Sequence, residues 1–150
     1  MISRIITLSK SVFLRFFLLG LALAFTQEPF NIPYCTFLVL PLVSFLAIKF
    51  LKTSKQYSFS GFVFGLGYFG LTFIWIINPF LVDPQKNFWL APPAYLLFVS
   101  TLSLFWAFAF YFSNYLNKDE EQKSKKVFCL SILFAFAELF RCYLFSGFPW

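Results

Sequence analysis

The sequence predicts an all-α bundle of about five transmembrane helices, with the N-terminus in the cytoplasm and the end of the chain outside. Three observations predict this fold. Of 150 residues, 60% are hydrophobic and 12% charged, with a mean hydropathy of +0.77. A soluble domain carries about 25% charged residues, so too few polar side chains are present here to cover a surface in water. The apolar residues gather into five runs, at about 11–25, 34–50, 59–77, 91–115 and 127–145. The cations between those runs alternate from one connection to the next. Residues 1–150 therefore read as one multi-span membrane domain, not as a soluble enzyme, a disordered chain or a nucleic-acid module.

Each run can be justified in turn. A helix needs roughly 17–25 residues to cross the hydrocarbon core. The first run, 11–25, is short unless residues 5–10 extend it, and Arg15 lies one turn inside its start, close enough to snorkel to the interface. Arg4, Lys10 and the small-x-small pattern Ala22-Leu23-Ala24 also fit a cleaved signal peptide, but Arg15 interrupts the apolar region such a peptide needs. The second run just reaches spanning length, and Pro41 inside it predicts a kink. The third, fourth and fifth runs are long enough as they stand. Pro92-Pro93 opens the fourth, where proline is tolerated in a first helical turn. Tyr34 and Trp89 fall at predicted outer interfaces, where amphipathic rings anchor.

Orientation follows from the cations. Arg4 and Lys10 precede the first run. Lys49, Lys52 and Lys55 lie between the second and third, and Lys118, Lys123, Lys125 and Lys126 between the fourth and fifth. The intervening connections carry only Lys86. Nine cations on one side against one on the other put the N-terminus in the cytoplasm and the end of the fifth run outside. The net charge of +6 thus reads as membrane topology, with no nucleic-acid partner.

The counts also limit chemistry. The chain has no histidine, which excludes a Ser-His-Asp triad or a His-ligated zinc within it. Cys35, Cys129 and Cys142 form no Cys-x-x-Cys pair and read as packing residues, so no metal or cofactor is expected. Gly65-Leu66-Gly67-Tyr68-Phe69-Gly70 matches G-x-G-x-x-G, but a dinucleotide fingerprint needs a preceding strand and this one lies inside an apolar span. Gly61 and Gly65, four apart, and Gly67 and Gly70, three apart, read instead as small residues that let helices approach closely. A groove facing substrate is the competing reading.

Glu138 and Arg141 are the ionisable pair within the fifth run. At 1.5 Å per residue they lie about 16 Å and about 21 Å along a helix from Val127, in its outer half. Three residues apart, they share one helix face. Such residues inside a membrane face a bundle interior or water and mark function, or else pair with each other and fix packing. Arg141 could also snorkel outward to an anionic lipid phosphate.

Three stretches together resemble the apolipoprotein N-acyltransferase family of bacterial inner membranes. Leu21-Ala22-Leu23-Ala24-Phe25, followed by Pro29-Phe30 and Pro33, is similar to that family's short first loop. Residues 61–79, GFVFGLGYFGLTFIWIINP, resemble its glycine-rich third span. Glu138-Leu139-Phe140-Arg141 followed by Ser146-Gly147-Phe148-Pro149-Trp150 resembles its Glu-x-x-Arg and Thr-Gly-Phe-Pro-Trp, with Ser146 in place of Thr and Cys142 in place of Gly.

The resemblance implies a longer inner-membrane protein of eight spans with a periplasmic nitrilase-like domain. That domain would carry a Glu-Lys-Cys set. Its cysteine would take an acyl chain from a phospholipid donor as a thioester, and the chain would pass to the α-amino group of a lipoprotein's N-terminal diacylglyceryl cysteine. None of those catalytic residues is in this sequence, which on the family's plan stops after the fifth span and is expected to be inactive alone. The resemblance places Glu138, Arg141, Gly147, Phe148, Pro149 and Trp150 at the substrate-binding mouth, in contact with membrane lipid, with Trp150 stacking on an acyl chain. The alternative is a complete five-span membrane protein acting as a transport subunit or scaffold.

Overall fold

The computed structural model describes residues 2–82, 84–117 and 122–144, with only the backbone described for 2–10, Pro84 and Lys86. Among the described residues every regular element is helical. In order they are α1 (Ile2–Ala24), α2 (Cys35–Phe50), α3 (Ser54–Thr72), a 3-10 segment (Ile74–Leu81), a one-turn α4 (Pro84–Asn87), a 3-10 turn (Phe88–Leu90), α5 (Ala91–Leu116) and α6 (Lys123–Leu144). Two of these, α5 with the turn before it and α6, are long and apolar enough to cross a membrane, and α3 with its 3-10 extension makes a third if the bent pair is one span. Residues 11–24 of α1 and all of α2 form shorter apolar helices.

The third apolar run, expected over 59–77, becomes a helix that starts five residues earlier and stops five earlier. The start is set by a capping box: Thr53 Oγ1 accepts from the Gln56 amide at 3.3 Å, and Gln56 Oε1 accepts from the Thr53 amide at 3.3 Å. At the other end the path bends by 48° into the 3-10 segment. Ending the helix at Thr72 leaves the Gly70 carbonyl without an intrahelical donor, and the Tyr95 hydroxyl of α5 donates to it. The connection expected over 78–90 is therefore built largely of helical turns. Pro92 and Pro93 stand in the first turn of α5, and Pro41 lies inside α2.

Helix α3 lies between α1 and α5, and these are the two most extensive packings. Small residues permit both. Gly67 of α3 meets Gly20 of α1 so closely that a Cβ on Gly67 would strike the Phe17 carbonyl, and one on Gly20 the Phe64 carbonyl. On the side facing α5, a Cβ on Gly61 would lie 2.6 Å from the Trp106 carbonyl oxygen, and one on Gly65 would lie 2.9 Å from Ser103 Cα. Without a hydrophobic force between helices in lipid, close packing of this kind is what holds spans together. The glycines thus serve packing, and the G-x-G-x-x-G stretch is interior helix.

Phe16, Phe64, Phe69, Phe73, Trp106 and Phe110, each at most 2% exposed, form the core. Helix α6 packs on α5, and α2 rests more lightly on α1 and α6. Large apolar side chains such as Phe37, Leu97, Phe136 and Leu139 point outward from the bundle. Such an envelope fits a lipid surround, since soluble monomers rarely expose extended apolar patches.

Candidate functional site

The charged residues of the fifth run meet in the interior. Leu139 and Phe140 face outward, while the 3.6-residue period carries Glu138 and Arg141 toward α5 and α3. Arg141 Nη2 donates to Glu138 Oε2 at 2.7 Å. Arg141 is 3% exposed and Glu138 32%. The guanidinium lies over the Phe69 ring, 5.5 Å from its centroid. It does not snorkel outward. The ring face and the carboxylate compensate its charge inside the bundle, where an ion taken out of water needs both.

Trp106 of α5 completes the arrangement, its indole Nε1–H donating to Glu138 Oε1. Its ring stacks on Tyr68 at 5.0 Å and lies 4.7–4.8 Å from Phe64, Phe69 and Phe134. Polar groups from α5 and α6 thus converge within an aromatic wall to which α3 contributes Tyr68 and Phe69. Among the described residues, Arg141 Nε and Nη1 are buried without a hydrogen-bond partner, so the guanidinium keeps donors for an acceptor that Glu138 does not supply.

Sequence reasoning brought Glu138 and Arg141 together through their spacing and missed Trp106. The available signal was a tryptophan in the middle of an apolar span, because a buried indole N–H needs an acceptor. Gly147, Phe148, Pro149 and Trp150 lie outside the described residues. Cys35, Cys129 and Cys142 are partly buried free thiols. Arg15 is exposed on α1, with its guanidinium 5.5 Å from the Phe50 ring centroid.

Fold and site together define an all-helical, lipid-type bundle with an ion pair enclosed by aromatic rings. The family description Apolipoprotein N-acyltransferase N-terminal domain matches residues 19–150. The chain is 34% identical over 146 residues to the apolipoprotein N-acyltransferase of Brucella suis biovar 1 (strain 1330), covering 89% of this chain and 26% of that protein. It is 31% identical over 145 residues to that of Sinorhizobium fredii (89% and 26% covered). It is 30% identical over 137 residues to that of Rhodopseudomonas palustris (89% and 25% covered). No solved structure matches. The chain belongs to the apolipoprotein N-acyltransferase family, through its N-terminal domain, and spans about a quarter of the length of these curated relatives.

Proposed function

We propose that this chain is the membrane-embedded N-terminal part of an enzyme that moves an acyl chain from a phospholipid to the N-terminal diacylglyceryl cysteine of lipoproteins, in a bacterial inner membrane. In this reading α1, α2, α3 with its 3-10 extension, α5 and α6 are five spans, with the N-terminus cytoplasmic and the end of α6 periplasmic. The charge alternation supports the orientation. At 16 residues, α2 is about 24 Å long against a hydrocarbon core of about 30 Å, and it spans by local thinning of the bilayer and by extension of Lys49 to the interface.

The observation that carries the reading is the Trp106–Glu138–Arg141 set, in which Trp106 of α5 meets the last turns of α6 just ahead of residues 146–150. The set fixes the outer end of α6, from which Gly147, Phe148, Pro149 and Trp150 continue as the substrate-binding mouth. Covalent chemistry belongs to groups in the three-quarters of the relatives that this chain does not match. Here Glu138 and Arg141 are positioning residues, and Trp150 contacts the acyl chain.

A chimera tests this. The chain replaces the matched segment of the Brucella suis enzyme, and acyl transfer to a diacylglyceryl peptide is measured in proteoliposomes. The chimera is expected to transfer. Trp150→Ala is expected to lower kcat/KM at least tenfold, and Arg141→Gln to lower it at normal membrane insertion. An inserted chimera with wild-type transfer after both substitutions would overturn the assignment.

A further inference from the structure

The light packing of α2 against α6 leaves a cleft between them. Its volume is about 710 Å³, and its lining is Pro41, Ser44, Phe45, Ile48 and Lys49 from α2 with Lys123 and Val127 from α6. Ligand clefts generally hold roughly 300–1,000 Å³. Both lysines stand at the end of the bundle where the basic connections gather, at the last turn of α2 and the first of α6. The Lys49 ammonium lies 5.2 Å from the Phe45 centroid and 5.3 Å from that of Phe50, so the two rings hold it at the mouth. Below the mouth the lining is apolar except for Ser44, whose hydroxyl donates to the Leu40 carbonyl at 3.0 Å and leaves the cleft little free polarity. A second, smaller cavity of about 90 Å³ shares Ser44 with it and is bounded by Leu40, Val43, Phe64, Leu130 and Phe134 among others.

Two cations from different helices above an apolar slot match an amphiphile with an anionic head and a hydrocarbon tail. We infer that the α2–α6 cleft is a binding site for an anionic phospholipid of the cytoplasmic leaflet, its phosphate between Lys49 and Lys123 and one acyl chain along Phe45, Ile48 and Val127. Basic pockets between spans on the cytoplasmic side take anionic headgroups in this way. The site lies at the opposite end of α6 from Glu138 and Arg141. It is therefore separate from the proposed acyl-donor mouth, and only its assignment to the cytoplasmic leaflet rests on the orientation proposed above.

The 150-residue chain is purified in a non-ionic detergent and given phosphatidylglycerol and phosphatidylethanolamine with identical acyl chains in equal amounts. Retained lipid is read by native mass spectrometry. One phosphatidylglycerol is expected per chain. The double variant Lys49→Gln, Lys123→Gln is expected to lower the preference about 25-fold, each ammonium near a membrane surface contributing about fivefold. Lys52→Gln with Lys55→Gln, exposed cations outside the cleft, is expected to leave the preference in place. Ile48→Trp, which fills the apolar slot, should release both lipids at unchanged helical content. The inference is overturned by equal retention of the two lipids. It is also overturned if Lys52 and Lys55 matter as much as Lys49 and Lys123, or if a dimer forms that carries no lipid, which would show a second copy in the cleft.

Discussion

Replacing Glu138 with leucine removes the only carboxylate partner described for a guanidinium that is 3% exposed. Two further nitrogens of that guanidinium already lack an acceptor among the described residues. Breaking a buried ion pair from one side leaves an uncompensated charge and costs about 3–5 kcal/mol. The reverse single variant, Arg141→Met, leaves Glu138 one-third exposed and still accepting from Trp106. Its cost should be smaller, about 1–2 kcal/mol, close to a lost charge-assisted hydrogen bond. Removing both charges deletes the uncompensated guanidinium but leaves the Trp106 indole N–H without its acceptor, so Glu138→Leu with Arg141→Met should cost about 1–3 kcal/mol, less than Glu138→Leu alone. The assay is reversible unfolding in mixed micelles for all four members of the cycle, followed by tryptophan emission. The double variant more stable than Glu138→Leu alone is the diagnostic result. Two single costs of equal size that add to within about 0.5 kcal/mol would show independent sites and refute the account.

Three further outcomes are expected. Gly67→Ala should cost about 1–3 kcal/mol in the same titration, because its methyl must displace the backbone of α1, whereas Gly70→Ala, whose nearest neighbour would be the Tyr95 hydroxyl at 3.6 Å, should stay within about 0.5 kcal/mol. Tyr95→Phe should strand the Gly70 carbonyl, cost about 1 kcal/mol and speed amide exchange across the bend at Phe73. In a variant without its native cysteines, Gln27→Cys and Lys52→Cys should react with an impermeant maleimide from opposite faces of oriented vesicles. Labelling of both from one face would overturn the five-span orientation.

The sequence made the helical segments legible because long apolar stretches in a chain with 12% charge have few other solutions. It did not make their ends legible. Hydropathy measures compatibility with lipid, whereas the ends of α3 were decided by hydrogen bonding. Ser54, Lys55 and Gln56 are polar and lie outside the apolar run, yet the Thr53–Gln56 capping box brings them into the helix. Residues 74–77 are apolar and lie inside the run, yet they leave the α-helix for 3-10 turns. The site divides the same way. Glu138 and Arg141 stood out as charges three apart in an apolar span. Trp106 did not, because one more ring is inconspicuous where 25% of residues are aromatic. Gly20 was equally inconspicuous. A lone glycine gains meaning only when Gly67 is set opposite it, and that pairing is a fact of tertiary structure.

The two sides of the bundle differ for a reason that lies in α3 and α2. Helix α3 offers glycine to both neighbours, so α1 and α5 approach to backbone contact and the space left around Trp106 is filled by rings. An ion pair can be held there because nothing around it is free to rearrange, and reorganisation that would let a buried charge escape to water is blocked by close packing. Helix α2 has no glycine; the face it buries carries Val39, Val43, Leu46 and Ala47, while Pro41, Phe45 and Ile48 line the slot beside α6. It therefore stands off from α6 and leaves a slot where α3 leaves none. The slot opens at the end of the bundle that carries the lysines, and the enclosed ion pair lies toward the other. Glycines on one helix and their absence from another thus separate the bundle into a close-packed site at one end and an open cleft at the other, which is why substitutions at Gly67 and Ile48 should disturb different properties of the same molecule.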